Sequence, residues 1–382
     1  MSKSILIVAA EASSSHYALK LMKVLKEREP DLEFFGAGSK EMEAFGFERL
    51  GKSEEMAVVG ASEIFKHFGH LRGVFYRLLE EAEKRRPRLV ILMDYPEFNL
   101  FLSRKLFALD IPCFYYISPQ VWAWRQGRVK TIKKFCKKVF LLFPFEVDFY
   151  SRHQVPYEFV GHPLLDELDP QLFEPEQLQI MRSQRGIAQK EVVLGLMPGS
   201  RRGEIEKLFA IQLEVARRLY KRIPHLKVLI MVAPTVEKED LHPYLNDMKI
   251  PFMMIKDDPF RMIAISDYVL AASGTATLMV GLLHKPMVVM YKMSKMTELF
   301  VKAFVRGVKY FCLVNLILKD EVVPERMQAQ ANPDVLEALL YDIMSSPERT
   351  KLIQYELKKL TSHLGEKGAT ERVAASLQEY LR

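Results

Sequence analysis

The chain is poor in several of the residues that define whole protein classes. Only three of its 382 residues are cysteine: Cys113, Cys136 and Cys312. That odd number, without paired spacing, excludes a disulfide framework and a zinc-ligand set, and the three read as reduced thiols of a cytosolic protein. No run of about 18 apolar residues occurs, so no segment reads as a bilayer-spanning helix. Residues 1–8 lead straight into a strand pattern and lack the apolar core and cleavage site of a secretory signal. There is no fixed-period repeat and no low-complexity tract. Net charge is +7, yet no zinc-finger or RNP-type motif accompanies it, which argues against nucleic acid as a partner. Tryptophan occurs only twice, at Trp122 and Trp124.

What is present is a soluble globular composition, 49% hydrophobic and 27% charged, long enough for two or three domains. Short apolar runs alternate with longer amphipathic ones, the signature of parallel βαβ units. Strands are expected at 4–10, 32–36, 89–93, 113–117 and 139–143, with helices at 17–29, 63–85, 100–109 and 129–137. A second series of strands follows at 192–197, 227–232, 252–255, 268–272 and 287–291. Residues 161–186, rich in Pro, Asp, Glu and Gln, read as a connector, and 332–382 as helices only, with Pro333 and Pro347 at two starts. The expected fold is α/β: two Rossmann-like, doubly wound domains facing a central cleft, with a helical C-terminus. The expected boundaries are 1–165, 166–350 and a helical piece 351–382 that packs back on the first domain or on a partner subunit.

Ligands of open α/β sheets bind beyond the carboxyl ends of the strands. Three stretches there carry chemistry. Asp94, in Met93-Asp94-Tyr95-Pro96-Glu97-Phe98-Asn99, leaves a strand and is a candidate general base; Asn99 is suited to hold a hydroxyl or cap the next helix. Pro198-Gly199-Ser200-Arg201-Arg202-Gly203-Glu204 and Ala272-Ser273-Gly274-Thr275 each follow a strand and open a helix, an arrangement suited to a diphosphate, although neither is a Walker A or dinucleotide fingerprint. Both tryptophans lie in Ser118-Pro119-Gln120-Val121-Trp122-Ala123-Trp124-Arg125. Seven basic residues and no acidic one follow over 125–138. His162, in Gly161-His162-Pro163, lies near the domain junction. Ile64, Phe65, Phe68, Leu71 and Phe75 form one helical stripe flanked by Lys66, His67, His70, Arg72 and Arg77, a pattern compatible with a core-facing helix or a membrane interface.

These motifs, with Phe143-Pro144-Phe145-Glu146 and Val314-Asn315-Leu316, occur in the order seen in the lipid-A-disaccharide synthases, which the chain resembles over nearly its whole length. The resemblance implies an inverting, metal-independent glycosyltransferase of GT-B type with no cofactor. The donor would be UDP-2,3-diacylglucosamine and the acceptor 2,3-diacylglucosamine 1-phosphate, joined on the inner membrane surface by a peripheral cytoplasmic enzyme, with a homodimer plausible. It places Asp94 as the base. Glu11, Ser13, Asn99, Ser118, Trp122, Trp124 and Arg125 fall on the acceptor side. His162, Gly199, Ser200, Arg201, Glu204, Ser273, Gly274, Thr275, Asn315 and Gln328 fall on the UDP-sugar side, and Ile64 to Phe75 form a membrane patch. The chain departs from the family pattern at Ala10, Ser14 and Ser15, where two glycines and a carboxylate are usual, and at Met279, where a ribose-binding Glu is usual. A divergent, non-catalytic paralogue binding acylated sugar phosphates or a partner enzyme is the second reading.

Overall fold

The computed structural model describes residues 3–56, 64–123, 125–293, 298 and 309–381; for 64–68 it describes the backbone only. The chain divides into two compact units, Met1–Asp166 with Leu364–Arg382, and Glu167–His363.

The first unit is built on seven parallel strands: β1 (Ser4–Ala9), β2 (Glu33–Gly38), β3 (Phe47–Lys52), β4 (Leu89–Met93), β5 (Cys113–Tyr116), β6 (Lys138–Leu141) and β7 (Tyr157–Phe159), in the order β3-β2-β1-β4-β5-β6-β7. Helices cover both faces, so β1 and β4 are buried along their whole lengths and read as continuous apolar runs. Gly36 has φ +139, and a Cβ there would lie 2.1 Å from the Ile7 carbonyl oxygen. Only glycine lets β2 approach β1 this closely.

The second unit has six parallel strands: β8 (Val192–Met197), β9 (Leu226–Met231), β10 (Phe252–Ile255), β11 (Tyr268–Ala272), β12 (Met287–Tyr291) and β13 (Glu325–Met327), in the order β10-β9-β8-β11-β12-β13. In each sheet the chain winds outward one way, then returns to the middle and winds the other way. The reversal opens a crevice at the carboxyl ends of β1 and β4 in one unit, and of β8 and β11 in the other.

All ten expected strands form, and three more appear: β3, β7 and β13. All three lie at sheet edges. They carry charged residues, such as Glu48 and Arg49 of β3 or Glu325 and Arg326 of β13, so none reads as an apolar run. The connector folds into 3₁₀ turns, Pro163–Glu167 and Pro170–Phe173, and the helix Pro175–Ser183. The tail divides at residue 363 rather than at 350. The helix Pro347–His363 packs on Thr275–Leu282 within the second unit, whereas Ala369–Leu381 packs on Ala12–Arg28 in the first. Val373, Ala374, Leu377 and Leu381 are buried there, Tyr380 meets Phe114 edge-on at 4.7 Å, and Lys138 Nζ donates to Ser376 Oγ at 2.8 Å. The amphipathic pattern marked this as a helix; which sheet it covers is a long-range property that no local pattern encodes.

Candidate functional site

In the first unit the crevice is bounded by the loops after β1 and β4. β4 ends abruptly because Asp94 and Tyr95 both adopt φ +47 before the helix Pro96–Phe107 begins. Two successive left-handed non-glycine residues cost on the order of 1–2 kcal/mol each. Hydrogen bonds hold them there. The Asp94 N–H donates to the Ile117 carbonyl at 3.1 Å. The Asp94 carbonyl accepts from Asn99 Nδ2 at 2.7 Å and from the Tyr115 hydroxyl at 2.6 Å, and Asn99 Nδ2 also donates to the Met93 carbonyl at 3.1 Å. Ile117, at the end of the neighbouring β5, is itself left-handed at φ +63. A β-branched residue in that region marks a second enforced bend. The result presents the half-buried Asp94 side chain at the switch point of the sheet. Burial, and then the Asp94 charge, push the Tyr115 phenol well above its ordinary value.

Glu11 precedes the helix Ala12–Arg28 across the same crevice. Burial and, after it, the Glu11 charge raise the Tyr95 phenol, which places Glu11 and Tyr95 within electrostatic reach. The serines that replace the family's glycine and carboxylate fit without strain. Ser14 has ordinary negative φ, and its Oγ accepts from the Glu11 N–H at 3.1 Å. Ser15 is buried and its hydroxyl donates to the Ala9 carbonyl at 2.8 Å. Ser13 is exposed on the first turn.

Asn99 takes a different part from the one expected of it. It is fully buried and its amide nitrogen donates to the Met93 and Asp94 carbonyls, so it holds the backbone at Asp94 in place. Arg125 and Arg128 both pair with Glu97 on the first turn of Pro96–Phe107, so the arginine of the tryptophan motif is tethered to the loop after β4. Trp124 lies outside the described residues. Trp122 is half-buried and meets Phe145 at 4.8 Å; Phe145 stacks on Phe143 at 5.1 Å, and Phe143 meets His162 at 5.2 Å. This row of rings runs along the carboxyl ends of β5, β6 and β7. His162 is buried beside Tyr17 in the first unit, where its Nδ1 accepts from the Leu164 N–H at 3.2 Å. The Ser118 hydroxyl is hydrogen-bonded to the Tyr150 hydroxyl. Under the row, Glu146 is buried at the start of the helix Pro144–Arg152 and accepts from the Phe143 N–H at 3.1 Å. Burial pushes its carboxyl up to about 8 against the pull of backbone N–H groups.

In the second unit, Gly199 has φ +122, and a Cβ there would lie 2.6 Å from Glu204 Oε2. That Oε2 accepts from the Ser200 N–H at 3.0 Å, and Thr235 Oγ1 donates to the Ser200 carbonyl at 2.8 Å. Glu204 therefore ties down the loop, in the favourable place for a carboxylate at the start of the helix Arg202–Arg222. Arg201 and Ser200 are exposed. Across the crevice Ser273 donates its N–H to the Met290 carbonyl at 3.0 Å, and Thr277 Oγ1 donates to the Gly274 carbonyl at 2.8 Å. Gly274 and Thr275 are exposed at the start of Thr275–Leu282, which also carries half-buried Met279. One residue escaped sequence reasoning: Gln212, fully buried, whose Nε2 donates to the Met197 and Leu270 carbonyls at 3.0 and 3.3 Å and so ties β8 to β11. A lone amide on the apolar face of a helix was its only signal.

Two other residues expected to contact the ligand differ in burial, Asn315 being enclosed and Gln328 half-buried. Asn315 is fully buried with both ends of its amide on the Val323 backbone, at 2.8 and 3.0 Å. Gln328 Oε1 accepts from the Met293 N–H at 2.8 Å. The side chains of Ile64, Phe65 and Phe68 lie outside the described residues. Leu71 and Phe75 turn toward the core, Phe75 meeting Phe98 edge-on at 5.5 Å, because the helix Ile64–Arg85 packs against Pro96–Phe107. No helix among the described residues is long and apolar enough to cross a membrane.

A sequence profile described as Lipid-A-disaccharide synthetase matches residues 5–379. The chain belongs to the lipid-A-disaccharide synthase family. The lipid-A-disaccharide synthase of Geobacter sulfurreducens is 37% identical over 380 residues, covering 100% of this chain and 98% of its own. That of Myxococcus xanthus is 35% identical over 378 residues, covering 99% and 97%. The family makes this chain a hexosyltransferase of lipid A biosynthesis. Solved structures share its GT-B-type fold at low identity. A Staphylococcus aureus MnaA–UDP complex has TM-score 0.66 at 12% identity, covering 100% of this chain and 97% of that one. A Neisseria meningitidis UDP-GlcNAc 2-epimerase bound to UDP-GlcNAc has TM-score 0.63 at 13%, covering 98% and 99%.

Proposed function

We propose that this synthase-family member transfers the sugar of UDP-2,3-diacylglucosamine to 2,3-diacylglucosamine 1-phosphate, releasing UDP, with Asp94 as general base. Asp94 removes the proton of the acceptor's 6-hydroxyl as that oxygen attacks the anomeric carbon. The bond from that carbon to the UDP β-phosphate oxygen breaks on the opposite face, giving a β-1,6 disaccharide 1-phosphate. Arg201, Ser200 and the start of Thr275–Leu282 are assigned to the diphosphate, where negative charge grows as the bond breaks. The observation that carries the reading is Asp94 itself, a carboxylate held at the sheet's switch point by two left-handed residues and a buried amide. Such strain persists where function requires the geometry. The test is a radiolabelled transfer assay with both acylated sugars. Asp94→Asn should lower kcat about 10²–10⁴-fold with the fold intact; unchanged turnover removes Asp94 from the base role, and no product from the wild type overturns the substrate assignment.

Peripheral membrane binding belongs to the same proposal. Its support lies beside the stripe first considered. Tyr76, Phe101 and Phe107 are 54%, 58% and 47% exposed on two packed helices, and the helix Arg128–Phe135 beside them adds Lys130, Lys133 and Lys134. Exposed rings among basic residues suit an anionic lipid interface. Phe101→Ser with Phe107→Ser should release the protein from phosphatidylglycerol-containing vesicles in a sedimentation assay; equal retention refutes this surface.

A further inference from the structure

A second basic concavity lies wholly within the second unit, beside the amino-terminal end of β12, whereas the Ser200 and Ser273 loops lie at the carboxyl ends of β8 and β11. The helix Thr275–Leu282 starts at the Ser273 loop and ends at this concavity, about 12 Å further on at 1.5 Å per residue. It has a volume of about 440 Å³ and is lined by Lys285, Lys351, Lys358 and His284 together with Phe173 and Tyr355. Among the described residues no carboxylate lines it.

Three lysines and an imidazole thus share one space. Asp267 is the acidic group whose charge reaches Lys285, but its carboxylate is already engaged by Arg182 at 2.5 Å and by the Val193 N–H at 2.8 Å. Burial brings Lys285 down to about 8; Asp267 opposes this and Arg182 adds to it. Burial, then Lys358 and Lys285, hold His284 below its ordinary value. His284 also occupies the left-handed position, φ +55, that closes the helix, where Gly is usual, and its ring meets Phe173 at 5.4 Å. Cations at a helix C-terminus are explained by the helix dipole. That accounts for His284 and Lys285, but not for Lys351 and Lys358, which reach the same space from one face of Pro347–His363.

We infer that this concavity is a binding site for a phosphate-bearing ligand, separate from the donor loops, with Lys285, Lys351 and Lys358 taking the phosphate and Phe173 and Tyr355 flanking its apolar part. A phosphate would supply the countercharge the three lysines lack, with charge-assisted hydrogen bonds. Two sources share this chemistry: a soluble phosphate or diphosphate, and a phospholipid head group.

The test uses the full chain with its lysines ¹³C-dimethylated, which keeps their charge, and the Lys285 signal assigned through Lys285→Arg. Pyrophosphate to about 10 mM, well above a millimolar dissociation constant, should move that signal saturably and raise its titration midpoint. Lys351→Gln with Lys358→Gln, both exposed and outside the proposed active site, should weaken the response at least tenfold while leaving transfer activity and circular dichroism unchanged. A response to phosphatidylglycerol vesicles but not to pyrophosphate, lost in the double variant, supports the head-group source. No response to either probe, or an equal response in the double variant, overturns the site.

Discussion

Glu146 gives the sharpest energetic test of the first unit. Its carboxyl is buried beneath the aromatic row, and burial raises it from 4.5 to about 8. Between those values the native protein keeps a proton that the unfolded chain releases. Stability must therefore fall as pH rises, by about 1.4 kcal/mol per pH unit over the window. The full effect is roughly 4–5 kcal/mol, present below pH 4.5 and lost once pH passes about 8. That is a large part of the ~5–15 kcal/mol that holds a domain folded. Glu146→Gln is neutral at every pH and keeps an acceptor for the Phe143 N–H, so its stability should be flat across this window. Both tryptophans belong to the first unit, and Trp122 touches Phe145, the residue before Glu146, so tryptophan fluorescence during urea unfolding reads the right part of the molecule. The variant should equal the wild type to within about 1 kcal/mol near pH 5 and exceed it by several kcal/mol near pH 8.5. Parallel pH profiles for the two proteins would refute the reasoning, because they would mean that Glu146 is ionised in the native state at no cost.

Gly199→Ala forces a Cβ against Glu204 in a backbone region that alanine avoids, at a local cost of about 1–3 kcal/mol; donor KM in the transfer assay should rise while unfolding of the first unit, followed by tryptophan fluorescence, is unchanged. Asn99→Ala strips one donor from two buried carbonyls, so it should destabilise the first unit by roughly 1–3 kcal/mol in urea unfolding and lower kcat more than acceptor KM. An unchanged kcat would mean that Asp94 keeps its position without the amide.

The central strands and the loops at the two switch points were legible in sequence because they are local: an apolar run, then a turn residue, then a helix start. The edge strands β3, β7 and β13 were not, since an edge carries charge and its pairing is decided by a distant neighbour. Site residues divide in the same way. Asp94, Gly199 and Ser273 stand at strand ends, as their motifs require. The resemblance places Asn99, Asn315 and Glu204 among the site residues, but a motif does not distinguish a side chain facing a ligand from one satisfying backbone groups. In the structure these three hold backbone groups of neighbouring residues. Gln212, the counterpart of Asn99 in the second unit, was invisible because its partners lie on two strands far apart in sequence.

The helix Ala369–Leu381 has a consequence for how the protein is made. The seven-stranded sheet is encoded first, yet the helix that packs against Phe114 and along Ala12–Arg28 leaves the ribosome only after the whole second unit. At roughly 5–20 residues per second, the interval between Asp166 and Leu381 is on the order of tens of seconds. The second unit is a single uninterrupted stretch and is complete when His363 emerges. Assembly during translation thus finishes in the reverse of coding order: the later-encoded sheet closes first, while an apolar strip of the earlier one waits, exposed to chaperones and proteases, for the helix Ala369–Leu381.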